Sequence, residues 1–239
     1  LSNTKKHISF IKQHCITDSH NANVLEIGCG NSTLLYALEN SKLIKQAIGI
    51  EVSQTRHSFA EKIKSKLGSK KVKNINKDIF SLEPFSDLDL IIGVDTILQL
   101  ISCINQQSEQ NALSFIRESL KPDGFLLLEL YDFTNIIYQL NKNGNHLKLW
   151  ERFSDSDPFE YMLSDISQDL DGYILWKKEF IKRNTFEKSY FTSVFKQYTQ
   201  NHISTLLTNN GFNRIKIFNH WEKYGDIPKE EYIVLAQKK

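Results

Sequence analysis

The stretch NVLEIGCGNSTLLYAL, residues 23–38, begins as an unbroken apolar run, breaks at Gly28-Cys29-Gly30 and resumes with apolar residues at helical spacing. That order predicts a buried strand whose end turns tightly into the start of a helix. In α/β sheets such a turn is where a nucleotide binds. The dinucleotide fingerprint G-x-G-x-x-G needs a third glycine at position 33, and this chain has Thr33 there. The turn also follows an acidic Glu26, which serves a cationic amino group better than a pyrophosphate.

Outward from this stretch, strands and helices alternate. KQAIGIEVS (45–53) reads as a second buried strand, followed by a charged helix from Gln54 to Leu67. KVKNINKDIF (71–80) is a third strand and LDLIIGVDTI (88–97) a fourth, ahead of the helix QSEQNALSFIRESLK. Pro122-Asp123-Gly124 turns into a fifth strand, FLLLELY. Continuous apolar strands separated by helices predict a parallel sheet covered on both faces, a doubly wound α/β core.

The pattern changes after residue 132. Twelve aromatic residues lie between Trp150 and Tyr198, far more than an even spread would give, so this segment needs its own account. Strand-like pieces run over Phe159–Ser167, Tyr173–Lys182 and Lys188–Gln197, with turn signals at Asp171-Gly172 and Arg183-Asn184. These predict an antiparallel β insertion, residues 133–198, on a core made of 1–132 and 199–239. The core resumes with the helix QNHISTLLTNN, closed by Gly211. Two strands follow, RIKIFNH (214–220) and EEYIVLAQK (230–238).

Composition narrows the function class. A chain of 239 residues, 40% hydrophobic and 24% charged, is globular, and no run approaches the roughly 18 apolar residues of a membrane span. Three scattered cysteines point to a reducing, cytoplasmic setting without a disulfide framework. The histidines show no metal-ligand spacing, so no metal is expected. A net charge of +2 makes no case for nucleic acid. The lysine-rich run KIKSKLGSKKVK lacks interleaved aromatics and reads as a solvated helix end.

Side chains with binding chemistry fall at successive strand ends. Gly28 and Gly30 let the backbone approach a ligand. Glu51, 21 residues beyond Gly30, can accept from both ribose hydroxyls. Asp78 is placed to accept from an adenine amino group, with the N–H of Ile79 for a ring nitrogen.

VLEIGCGNS, IGIEVS, NINKDIF, LDLIIGVDT and LKPDGFLLLEL resemble, in that order, the motifs of class I S-adenosylmethionine-dependent methyltransferases. The resemblance covers residues 22–132 and extends to LLTNNGFNRIKIF, similar to the family's last helix and reversed strand pair. The aromatic insertion is similar to the lid of the subgroup that methylates small molecules. One position departs: Ser32 stands where the family's G-x-G-x-G has its last glycine. The resemblance implies a Rossmann-like, mostly parallel sheet with a reversed last strand, and S-adenosylmethionine as cofactor. It implies that Glu26, Gly28 and Gly30 hold the methionine moiety, Glu51 the ribose, and Asp78 with Ile79 the adenine. Asp95 and Thr96 would line the sulfonium side. Asn31 and Val52 complete the candidate cofactor contacts.

Methyl transfer from a sulfonium is an in-line displacement with an activated donor, so the protein acts chiefly by positioning. A hydroxyl acceptor benefits from a general base. Glu129, Tyr131 and His202 are the candidates, with Asp95 a further one; Glu129 can equally serve as a structural cap. Two or three of Trp150, Tyr161, Trp176, Tyr190 and Tyr198 are expected to face a small-molecule acceptor. GVDTI lacks the Pro-Pro-aromatic sequence typical of enzymes that methylate base amines, which argues against nucleic acid. A protein or nucleic-acid methyltransferase and a non-catalytic binding module stay open as alternatives, as does a homodimer.

Overall fold

Ahead of the glycine turn, the computed structural model, which describes residues 2–16, 21–219, 221 and 230–239, places a helix α1 (Ser2–His14) and then β1 (Ala22–Ile27). Alternation continues through α2 (Thr33–Asn40), β2 (Ile44–Ile50), α3 (Gln54–Leu67) and β3 (Val72–Ile75). A single 3₁₀ turn (Ile79–Ser81) leads to β4 (Leu88–Gly93), α4 (Ile97–Ile101), α5 (Ser108–Ser119) and β5 (Leu120–Tyr131). Then come α6 (Thr134–Lys142), β6 (Leu147–Arg152), β7 (Phe159–Gln168), β8 (Ile174–Lys182) and β9 (Lys188–Phe195). The chain closes with α7 (Gln200–Asn209), β10 (Phe212–Phe218) and β11 (Glu231–Lys238).

Seven strands form one sheet in the order β10-β11-β5-β4-β1-β2-β3. β1 is parallel to both β2 and β4, and only β11 runs against its neighbours. This is the mostly parallel, Rossmann-like sheet with a reversed last strand. Parallel strands covered on both faces must be apolar at every position. Leu90, Ile91 and Ile92 of β4 and Leu126, Leu127 and Leu128 of β5 are all buried accordingly. Leu88 pairs with Leu120 and Leu90 with Phe125, so residues 121–124 leave the ladder as the expected turn.

Several bounds differ from the sequence reading. The third strand stops at Ile75, because Asp78 caps the 3₁₀ turn by accepting from the Phe80 N–H at 3.0 Å. The strand read over Lys188–Gln197 ends at Phe195, and the one read over 214–220 runs over Phe212–Phe218. His220, which the sequence reading included in that strand, lies outside the described residues.

The chain divides into two compact units. The first, Leu1–Leu98 with Glu109–Tyr131 and Gln200–Lys239, holds the seven-stranded sheet. The second, Gln99–Ser108 with Asp132–Thr199, holds a separate antiparallel sheet in the order β6-β7-β8-β9. Strand β6 and helix α6 were not foreseen. In the second unit Ile166, Ile174 and Phe195 share one face with Trp176 and are buried, and Phe133 packs its ring on Phe195. No helix among the described residues is long and apolar enough to cross a membrane. No cluster of metal-ligating side chains occurs among them either.

Candidate functional site

The strand order reverses between β1 and β4, and ligands of doubly wound sheets bind outside the carboxyl ends at such a switch point. A cavity of about 430 Å³ lies there, within the first unit. Its wall includes Glu26, Gly28, Gly30, Asn31 and Asp95, five of the sequence-read cofactor residues. It also includes Thr4, His7 and Arg56, which the sequence reading missed. A second cavity, about 520 Å³, is lined by Asn21, Ala22, Asp89 and Lys121 around the opposite ends of β1 and β4. The smaller one carries the glycine turn, and the site is assigned to it.

Glu26, the fifth residue of β1, is the most unusual group in this cavity. It is buried, and its Oε2 has no hydrogen-bond partner. Burial pushes its carboxyl up to about 8, and Asp95 and Glu51 add in the same direction. A buried acceptor without a donor is costly unless a ligand supplies one. Beyond it, Gly28 and Gly30 take φ of +68° and +54°. A Cβ at Gly28 would strike Ile97, whereas one at Gly30 would project into open space with only Arg56 Nη1 near, at 3.8 Å. The turn is therefore a cradle with an unmet demand for a hydrogen-bond donor.

Ser32, at the family's third glycine, completes the turn in the left-handed region at φ 56° and is fully buried. A side chain there is strained. Its hydroxyl compensates by donating to Asn74 Oδ1 at 2.7 Å, and Asn74 Nδ2 donates to Tyr36 Oη at 2.9 Å and Glu61 Oε1 at 2.7 Å. The loop forms with serine because β3 and α3 hold it. Cys29, within this turn, has its thiol pushed to about 12 by burial and is inert filler between β1 and β2.

Glu51, at the end of β2, is also buried. Its Oε2 accepts from the Gly30 N–H at 2.9 Å and its Oε1 from the Ser53 N–H at 2.7 Å, so it ties the glycine turn to the loop after β2. Each oxygen keeps a second lone pair. Asn76 donates to the carbonyls of Glu51 and Val52 at 2.7 and 3.1 Å and fixes that loop from the β3 side. Val52 itself is exposed and Ile79 buried, while Asp78 stands exposed at the head of the 3₁₀ turn. Of these, none forms part of the cavity wall.

On the other flank, Asp95 and Thr96 follow β4 with φ of 53° and 62°. Two consecutive left-handed residues, one β-branched, are a strained pair. Glu129 of β5 holds both: its Oε2 accepts from the Asp95 N–H at 3.0 Å and its carbonyl from the Thr96 N–H at 3.2 Å. Its Oε1 accepts from the indole N–H of Trp221 at 2.5 Å. The Trp221 ring lies 4.2 Å from that of His7. Burial lowers the pKa of His7 against the opposing pull of Glu129 and Asp95. Burial and Glu129 raise that of Asp95, with His7 and Arg56 opposing.

The remaining sequence-read residues lie outside the cavity wall. Tyr131 ends β5, half-buried, paired in the ladder with Glu231. His202 is exposed in the first turn of α7. In the second unit, Trp150 and Tyr190 fall on one rung of the sheet, through Leu163 and Glu179, and are 70% and 68% exposed. Tyr161 shares their face, its ring 6.2 Å from that of Trp150. Trp176 is on the opposite face, donating to Ser164 Oγ at 3.0 Å. Tyr198 is fully buried and donates to Ser102 Oγ at 2.7 Å. The five aromatics therefore split between two faces and a buried position, and only three share a surface.

Taken with the switch-point cavity, the sheet defines a nucleotide-binding α/β enzyme. Residues 18–211 match the family described as a methyltransferase domain, and the chain belongs to that family: it is a methyltransferase. No curated protein sequence matches the chain significantly. Among solved structures, it is similar to an S-adenosylmethionine-dependent methyltransferase from Clostridium acetobutylicum, with 16% identity and a TM-score of 0.77 over 98% of this chain and 92% of that one. It is also similar to an amino pentose methyltransferase from Micromonospora echinaspora, solved with S-adenosylmethionine bound, at 12% identity and a TM-score of 0.69 over 100% and 91%. A sugar N-methyltransferase from a Streptoalloteichus species gives 10% identity and 0.67 over 99% and 86%. At such identities the likeness is one of fold.

Proposed function

We propose that this methyltransferase uses S-adenosylmethionine to methylate a nitrogen or oxygen of a small molecule, with the four-stranded unit as its lid. The observation that carries the cofactor is Glu26: a buried, unpartnered carboxylate oxygen beside a glycine cradle fits the ammonium of an amino-acid moiety. Arg56 brings a cation to the same wall, suited to the moiety's carboxylate. Glu51 would take the ribose hydroxyls on its spare lone pairs, and Asp78 with the Ile79 N–H the adenine. When bound, the cofactor supplies an electrophilic methyl whose C–S electron pair leaves with sulfur.

The chain's own contribution is placement. Glu129 and Trp221 hold Asp95 and Thr96 in their strained conformation, which keeps the floor of the acceptor side rigid. Effective molarity from such preorganisation supplies about 7–11 kcal/mol of barrier reduction in favourable cases. Support for a small acceptor comes from the sugar and amino pentose methyltransferases of similar fold and from the absence of a Pro-Pro-aromatic motif after β4. Trp150, Tyr161 and Tyr190, which share a face, are the proposed acceptor contacts. The test is a screen for S-adenosylhomocysteine release against small amines, amino sugars and phenols, a histone-type peptide and an oligonucleotide. Turnover with a small amine or hydroxyl compound is expected; turnover with the macromolecules alone would contradict the reading.

A further inference from the structure

We infer that His7, on α1, is the group that takes the proton from the acceptor's hydroxyl or amine as it is methylated. This rests on the methyltransferase reading of the cavity. Three observations place His7 there. It lines the same wall as Glu26, Gly28, Gly30 and Asp95. Its ring is packed on Trp221 at 4.2 Å, and Trp221 is itself anchored to Glu129 at 2.5 Å, so the imidazole is held and not left to swing. Among the described residues, no hydrogen bond engages either ring nitrogen.

The other titratable groups are poorer choices. Glu129 is held by bonds from Asp95 and Trp221 and is not in the cavity wall. Glu26 is assigned to the cofactor's ammonium, and Arg56 is a cation. Tyr131 and His202 are not in the wall. Asp95 faces the cavity, but a carboxylate is a weak base against an alcohol or an ammonium, whereas an imidazole titrates near neutrality. The charges that act on His7 are Glu129 from β5 and Asp95 from the loop after β4, with Glu26 from β1 and Arg56 from α3 on the same wall. Burial outweighs the carboxylates and keeps the ring neutral at pH 7, the state that accepts a proton.

The step balances simply. The heteroatom's electron pair forms the new bond to the methyl carbon, and the C–S pair leaves with sulfur. The acceptor's proton moves to the unprotonated ring nitrogen of His7, and the imidazolium later returns it to water.

The test needs no acceptor at first. The His7 ring is titrated by nitrogen-15 NMR in complexes with S-adenosylhomocysteine, which is neutral at sulfur, and with S-adenosylmethionine, which is a sulfonium. A ring beside the reacting centre titrates lower in the sulfonium complex, by about one pH unit or more for charges a few ångströms apart. Identical titration in the two complexes would overturn the assignment. Failure of both nucleosides to bind would instead remove the cofactor reading, and this inference with it. With an acceptor from the screen, His7→Asn and His7→Gln should lower kcat about 10²–10⁴-fold and lose the acid limb of the pH profile, with S-adenosylhomocysteine affinity kept. An unchanged pH profile in both variants would also overturn it.

Discussion

Asp95 donates its backbone N–H to Glu129 Oε2 at 3.0 Å while its own φ is 53°. A carboxylate on the next strand, 34 residues on, thus stabilises a backbone conformation that a non-glycine residue avoids. The other oxygen of the same carboxylate takes the indole N–H of Trp221. Glu129→Gln removes one of two charged acceptors and sets an amide N–H₂ against a donor. A loss of about 1.5–3 kcal/mol of unfolding free energy is expected, measured by urea denaturation. Full stability with abolished turnover would mean that Glu129 handles a proton directly.

Glu26 gives a pH signature. Its carboxyl titrates at about 8 in the fold against 4.5 ordinarily. Between those values the folded state holds a proton that the unfolded state has released, so this residue's contribution to stability falls as pH rises through the window and levels off above it. Glu26→Gln, a neutral isostere, should match wild type near pH 5 and exceed it by a few kcal/mol near pH 8. Stability curves that stay parallel across that range would refute the shift. The same variant should bind S-adenosylhomocysteine more weakly, because the ammonium loses its counter-charge.

Ser32 separates two costs. Ser32→Ala keeps the left-handed strain and leaves Asn74 Oδ1 without its donor, for an expected loss of about 1–3 kcal/mol. Ser32→Gly loses the same bond but relieves the strain by about 1 kcal/mol, and should be the milder change. If alanine is the milder of the two, the left-handed backbone at this position is not strained; wild-type stability in both variants would show that the serine hydroxyl does not hold the turn.

Glu51→Ala should weaken cofactor binding by about 1.5–3 kcal/mol in calorimetric titration, as for hydrogen bonds to a charged group. It also leaves the Gly30 and Ser53 N–H groups without their acceptor, so a modest loss of thermal stability should accompany it. Unaltered affinity would sink the ribose assignment.

Much of the first unit was legible because buried parallel strands are apolar at every position, and the polar residues at their ends stand out against them. Glu26 and Glu51 stand out that way, whereas Asp95 enters only through the resemblance to methyltransferases. Strand β6 was missed because LKLWER is an exposed edge strand with no buried alternation to mark it. His7 and Trp221 were missed for a different reason. They lie at opposite ends of the chain, and nothing local in KKHIS or NHW signals that the two rings meet beside Glu129. The roles of Glu129 and Tyr198 depended likewise on tertiary partners, a strained loop for one and Ser102 for the other.

The measurement that reaches the central claim most directly is calorimetric titration of the purified chain with S-adenosylhomocysteine and, separately, with NAD. The structure leads us to expect micromolar binding of the first, tightening as pH rises from 6 to 8 while Glu26 loses its proton, and no binding of the second. Binding of NAD with none of S-adenosylhomocysteine would contradict the assignment of the Glu26 cradle to an amino-acid ammonium, and the account of the site built on it.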